Sequence, residues 1–120
     1  MDKPIRKAVR CFLIKDNKVV VTKYKEGNKK EGYYEIPGGK IEERETLEQA
    51  AIREMKEKTG IKIKNLKYRG NMIIEYPNRI FDFEVFICNE CEGKPQDFEE
   101  NTSEWIEINE LLKKEKIYLI

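Results

Sequence analysis

Residues 37–61 read PGGKIEERETLEQAAIREMKEKTGI, six glutamates in twenty-five positions behind a Pro-Gly-Gly lead-in. The stretch predicts a turn and then a helix. Thr46 and Gln49 have capping-box spacing, in which the threonine hydroxyl accepts from an orphan amide and the glutamine reaches back. Gly60 stands where a helix C-cap glycine belongs. Leu47, Ala51, Ile52 and Met55 share one side and make a core-facing stripe. At about 3.6 residues per turn, Glu54 and Glu57 lie roughly 60° apart around the axis, flanking that stripe, with Arg53 beside them. Two carboxylates converging there repel unless a cation or a metal ion compensates. Oxygen-only ligands at this spacing suit a hard divalent ion, Mg2+ or Mn2+. The competing reading is a solvated face in a Lys/Glu-rich chain, where Glu-Lys pairs three or four apart are routine. The glycines favour the metal, because backbone without side chains lets a carbonyl or a phosphate come close.

Outward from this helix the pattern is mostly strand. Ala8–Ile14 and Val19–Tyr24 are rich in β-branched and apolar residues and flank a hairpin turn at Lys15-Asp16-Asn17-Lys18. Residues 26–32 (EGNKKEG) read as an exposed loop, and Tyr33–Ile36 as a short extended piece entering Pro37-Gly38-Gly39. After Gly60, strands are expected at Ile61–Tyr68, Asn71–Tyr76 and Ile80–Cys88, with Pro77-Asn78 turning the last two into a hairpin. Glu90–Ser103 reads as a polar loop and Glu104–Ile108 as a short strand. Asn109 is positioned to cap a last helix of about two turns. The result is one α+β domain over residues 1–120, without repeats or a linker.

Composition narrows the chemistry. Hydrophobic and charged residues each make up 39% of the chain, so the surface is densely charged. Lys+Arg is 24 against Asp+Glu 23, which gives no global reason for binding duplex nucleic acid or a membrane. Any anionic ligand then needs a local site. The start, MDKPIRKAVR, lacks a signal peptide's apolar segment, and a cytoplasmic location is expected. The chain has no histidine, which removes Ser-His-Asp and Cys-His catalysis and histidine-ligated metals. Acid-base work falls to carboxylates, Lys, Tyr or metal-activated water. Cys88 and Cys91 have the spacing of half a zinc site, but no second pair or histidine completes it. They read as a buried strand cysteine and one just past the strand's end. The apolar tail at residues 116–120 is expected to bury in the core or against a partner chain.

From Gly39 the stretch reads G-x5-E-x7-R-E-M-x-E-K-x-G-I. It resembles the Nudix box, G-x5-E-x7-R-E-U-x-E-E-x-G-U, with U a bulky aliphatic residue. The resemblance implies an α/β/α sandwich around a mixed sheet and hydrolysis of a nucleoside diphosphate linked to another group. It further implies that Glu54, Glu57 and the Gly38 carbonyl bind Mg2+ (Mn2+ possible), that Glu45 is the box's first glutamate, and that Arg53 orients the glutamates. Weaker likeness extends from about Ala8 to Trp105, where Glu99 or Glu100 matches a loop glutamate of MutT-like members that serves the metal and the base.

Two positions depart from the pattern. Lys58 replaces the second glutamate of the E-E pair, and Arg44 stands where many members carry glycine. Lys58 swings out to solvent, touches a substrate phosphate, or weakens metal binding enough to leave a non-catalytic nucleotide-binding module. Tyr24, Tyr33, Phe81 and Phe83 are candidate surfaces for a nucleobase, each also explained as an ordinary strand aromatic. The expected function is a MutT-like nucleoside triphosphate pyrophosphohydrolase, acting on a small nucleotide as a monomer or homodimer. The alternative enzyme acts on a dinucleoside polyphosphate, a nucleotide sugar or an RNA 5′ end.

Overall fold

Asp16 and Asn17 reverse the chain between its first two strands, with φ of 51° and 63°. Two consecutive positive φ values make the type I′ turn, whose twist matches that of the strands it joins. These strands are β1 (Ile5–Lys15) and β2 (Lys18–Tyr24). The structure, a computed structural model, describes residues 2–29, 31–115 and 117–118. After β3 (Tyr34–Glu35), the Pro-Gly-Gly segment departs from the expected turn. Gly38–Lys40 form β4, antiparallel to β1, with Gly38 opposite Arg10 and Gly39 opposite Val9. The Pro37 carbonyl accepts from the Cys11 amide at 3.0 Å, which fixes the entry to this pairing.

Helix α1 (Leu47–Thr59) has the predicted caps. The Gln49 amide donates to Thr46 Oγ1 at 3.1 Å and the Thr46 amide to Gln49 Oε1 at 2.9 Å. Gly60 takes a left-handed φ of 81° and returns its amide to the Lys56 carbonyl. Arg44, just before the helix, has φ 67°. That backbone explains why glycine suits the position, and it costs a side-chain-bearing residue about 1 kcal/mol.

Beyond α1 the expected strand Ile61–Tyr68 is broken, because Asn65 adopts φ 53°. β5 (Lys62–Lys64) leaves the main sheet to pair with β8 (Glu90–Glu92), while β6 (Lys67–Tyr76) and β7 (Arg79–Cys88) form the predicted hairpin. The segment read as a loop, 90–103, thus holds β8 and the start of β9 (Asn101–Glu107), which pairs along the whole of β2. The last helix, α2 (Ile108–Leu111), is a single turn capped at Glu107 rather than Asn109. It starts earlier because the Ile108 amide bonds the Asn17 carbonyl of the first turn. β10 (Ile117–Tyr118) pairs parallel with β3; the burial expected of the tail's side chains lies outside the described residues.

The main sheet runs β10-β3-β2-β1-β7-β6, with β4 joined to β1 and β9 to β2. It is mixed, since β1 and β7 run parallel. β1 alternates between two cores. Val9, Cys11 and Leu13 pack with Ala50, Ala51 and Met55 of α1, whereas Phe12 and Ile14 pack on the side of Val21, Ile36 and Leu111 of α2. This is the expected sandwich, helices on both faces of the sheet. Met55 is fully buried at the centre of the larger core, where removing its side chain from water contributes about 2 kcal/mol. Cys11 and Cys88 lie there too, as free thiols with sulfurs 3.7 Å apart. Among the described residues no helix is long and apolar enough to cross a membrane.

Candidate active site

β4 and α1 meet at Gly39. A side chain there would put its Cβ 2.3 Å from Glu54 Oε2, so the carboxylate occupies the space that the glycine leaves. Gly38 faces the other way: its Cβ would lie 1.9 Å from the Val9 carbonyl oxygen and 2.8 Å from Arg10 Nη1. Adjacent strand residues point to opposite faces, so β4 separates Glu54 from Arg10.

Arg53 organises the acidic side. Its Nε and Nη2 donate to the two oxygens of Glu45 at 2.6 and 2.9 Å, a bidentate pair. Nη1 donates to Glu54 Oε1 at 2.8 Å and to Glu57 Oε2 at 3.3 Å, and Nη2 also reaches the Lys40 carbonyl at 2.8 Å. The helix spacing puts Glu57 one turn beyond Arg53, while Glu45 arrives from the loop before the cap. One guanidinium therefore holds three carboxylates and the end of β4 in fixed relation. Its hydrogen bonds, helped by the Glu42 amide, pull the Glu45 carboxyl down to about 2, so Glu45 is an anion at any physiological pH. Glu54 is shifted the opposite way. Burial raises its pKa, and Arg53 and then Lys58 oppose that shift. Arg53 by hydrogen bond and charge, and Lys58 by charge alone, thus help to keep a buried carboxylate ionised.

The remaining predicted residues are more dispersed. Glu57 is exposed, and Lys58, half-buried, makes no ion pair among the described residues. Glu99 and Glu100 are exposed in the loop before β9. That loop is tied to α1 by Asn101, whose Nδ2 donates to the Lys58 carbonyl at 2.9 Å. No three acidic side chains among the described residues are gathered closely enough to enclose a metal ion. Tyr24 donates to Glu35 Oε1 at 3.2 Å, and burial raises its phenol to about 12. Phe81 and Phe83 stack at 5.2 Å, but Phe83 is buried and carries the Arg10 guanidinium 5.0 Å above its ring. The sequence reading missed Arg10, Glu35 and Asn101. Each is polar within an otherwise ordinary strand, a signal too common to single out.

Over residues 4–119 the sequence matches the family model of the NUDIX domain. This chain belongs to the Nudix family. The 8-oxo-dGTP diphosphatase of Haemophilus influenzae is 32% identical over 112 residues, covering 92% of this chain and 82% of the relative. The NAD-capped RNA hydrolase NudC of Vibrio atlanticus is also 32% identical, over 106 residues, but this Nudix chain spans only 38% of it. Among solved structures, the MutT protein of Methanosarcina mazei superposes with a TM-score of 0.81 at 21% identity, covering 98% of this chain and 88% of that one. At that identity the likeness speaks to the fold. The family model and the Haemophilus influenzae relative make the protein a MutT-like Nudix hydrolase, a pyrophosphohydrolase acting on phosphoric anhydrides. The Arg53 cluster is built from the residues of the Nudix pattern, and Lys58 is where the pattern breaks.

Proposed function

We propose that this Nudix hydrolase is a divalent-metal-dependent nucleoside triphosphate pyrophosphohydrolase, with oxidised purine deoxynucleoside triphosphates among its substrates. The supporting observation is the Glu54 carboxylate, steadied by Arg53 on one oxygen and lodged against Gly39 with the other. Its donor set fits a hard ion. Mg2+ is usually bound through one or two carboxylates and the substrate's own phosphates, without a full protein cage. Glu54, Glu57 and the Gly38 carbonyl would hold Mg2+, or Mn2+, which supplies charge neutralisation on the phosphate chain.

The chain's own residues do the rest. Arg53 sets the angle between Glu54 and Glu57 and favours the ionised form of the buried Glu54. A carboxylate oxygen of Glu54, Glu99 or Glu100 takes the proton of the attacking water, since the chain has no histidine to do so. Arg10 lies against Gly38 with Phe83 under its guanidinium, Phe81 stacks on Phe83, and Tyr24 bonds the Glu35 carboxylate beside Arg10; the nucleoside would sit among them. Residues 1–120 act as one domain, and a free nucleotide substrate places its work in the cytoplasm.

Product analysis tests this reading. With Mg2+ and a panel of deoxynucleoside triphosphates, 8-oxo-dGTP, dinucleoside polyphosphates and NAD-capped RNA, we expect nucleoside monophosphate from the triphosphates. Free phosphate should appear only after inorganic pyrophosphatase is added. Phosphate without that addition, or turnover confined to capped RNA, overturns the assignment.

Lys58 gives a second test. Its ammonium stands where a family carboxylate would, so Lys58→Glu removes a positive charge and adds a negative one beside Glu54 and Glu57. The Mg2+ concentration for half-maximal rate should fall on the order of tenfold. A titration at saturating nucleotide measures it. An unchanged metal requirement with a raised KM instead makes Lys58 a phosphate contact.

A further inference from the structure

Arg10 is a buried cation with incomplete pairing. Only a tenth of its side chain is exposed, and its Nε, fully buried, finds no hydrogen-bond acceptor. Nη1 reaches the adjacent Val9 carbonyl at a long 3.4 Å. Nη2 lies 3.8 Å from Glu35 Oε1, an ion pair beyond hydrogen-bond reach. Leaving guanidinium donors unmet inside a protein is costly. The arrangement persists because neighbours over-determine it: Phe83 supports the guanidinium from below, and Glu35, itself taking the Tyr24 hydroxyl, neutralises it from the side.

Its location says what the donors are for. Gly39 faces Glu54 and Gly38 faces Arg10, so β4 divides a carboxylate side, suited to a metal-bound phosphate chain, from the side of Arg10 and Phe83, to which Tyr24 is linked through Glu35. With its phosphates at Glu54, as proposed above, a nucleotide would lay its base on the Arg10 side. We propose that Arg10 is a specificity-determining residue that donates to the carbonyl edge of the base, so that the enzyme prefers purines of the guanine type over adenine. The inference rests on the nucleotide reading above. Guanidinium and guanine match in chemistry: O6 accepts a donor in guanine and 8-oxoguanine alike, and N7 accepts a second, parallel donor in unoxidised guanine, whereas adenine offers an amino donor in place of the O6 acceptor. Glu35 then serves as a positioning residue that holds the guanidinium edge toward the base. A site built to hydrogen-bond such a group rejects an analogue lacking it, because its own buried donors stay unpaired.

The test compares wild type, Arg10→Met and Arg10→Lys on dGTP, 8-oxo-dGTP and dATP, and measures dGMP and dAMP binding by calorimetry without metal. Arg10→Met should reduce the ratio of kcat/KM for guanine-type over adenine substrates at least about tenfold, mostly through KM, and should weaken dGMP binding more than dAMP binding. Arg10→Lys, which keeps the charge but not the fork, should lose much of the same preference. An equal loss on all triphosphates, together with weaker inhibition by inorganic tripolyphosphate, would make Arg10 a phosphate contact and overturn the proposal. A fall in melting temperature with both ratios unchanged would also overturn it, by reducing Arg10 to a structural residue. Should wild type turn over no triphosphate, the functional reading fails, and the monophosphate binding ratio still decides the role of Arg10.

Discussion

Glu54→Gln lowers kcat by at least about 100-fold, a loss of about 2.7 kcal/mol in transition-state stabilisation, while the fold survives. The amide is nearly the same shape, and its oxygen still accepts from Arg53 Nη1, now 2.8 Å from Glu54 Oε1. What disappears is the negative charge. Removing a charge that burial already penalises leaves no new orphan, because Arg53 keeps both oxygens of Glu45. Melting temperature should therefore stay near that of wild type. Glu57→Gln should show a similar loss of rate with even less effect on stability, since Glu57 is exposed and its contact to Arg53 is the long one at 3.3 Å. Steady-state kinetics beside thermal unfolding measures both, with excess EDTA abolishing wild-type turnover. Wild-type rates in the two variants, or full activity in EDTA, would return the helix to an ordinary solvated face.

Ala substitutions at the two adjacent glycines should fail in different ways. In Gly39→Ala the new Cβ overlaps Glu54 Oε2 at 2.3 Å, and the obstacle is the far end of a flexible side chain. The carboxylate can swing away at little cost to the fold, but it then leaves the position that the proposed metal site requires. Displacement of a catalytic group by about 1 Å is enough for a ~100-fold loss, so a folded, nearly inactive protein is expected. In Gly38→Ala the Cβ lies 1.9 Å from the Val9 carbonyl oxygen, which is backbone inside a paired strand and has nowhere to go. Overpacking there costs about 3 kcal/mol or more, and the melting temperature should drop by about 10 °C or more. Circular dichroism melts and kcat for both variants separate the two cases. A Gly39→Ala enzyme at full rate would show that the Glu54 position against β4 is not needed.

What the sequence determined by itself is the helix and the placement of its charged residues. The caps at Thr46 and Gly60, the apolar stripe ending at Met55, and the placement of Arg53 beside Glu54 and Glu57 all follow from backbone geometry within a few residues. Such spacings are set by the helical repeat whatever surrounds it, and the Asp16-Asn17 turn is equally local. The tertiary structure decided what depends on partners far along the chain. Pro-Gly-Gly became a strand because β1, some thirty residues earlier, offered an unpaired edge. Residues 90–92 and 101–103 became β8 and the start of β9 because β5 and β2 were there to pair with them, while 93–100 between them stayed the loop that the polar composition favours. The need for glycine at 39 is visible only once Glu54 is packed against it, and the unmet donors of Arg10 only once Phe83, Glu35 and Gly38 close around the guanidinium. Strand pairing and burial join residues whose order in the sequence carries no period, and for that reason the polar residues of the β-strands stayed silent until the sheet was assembled.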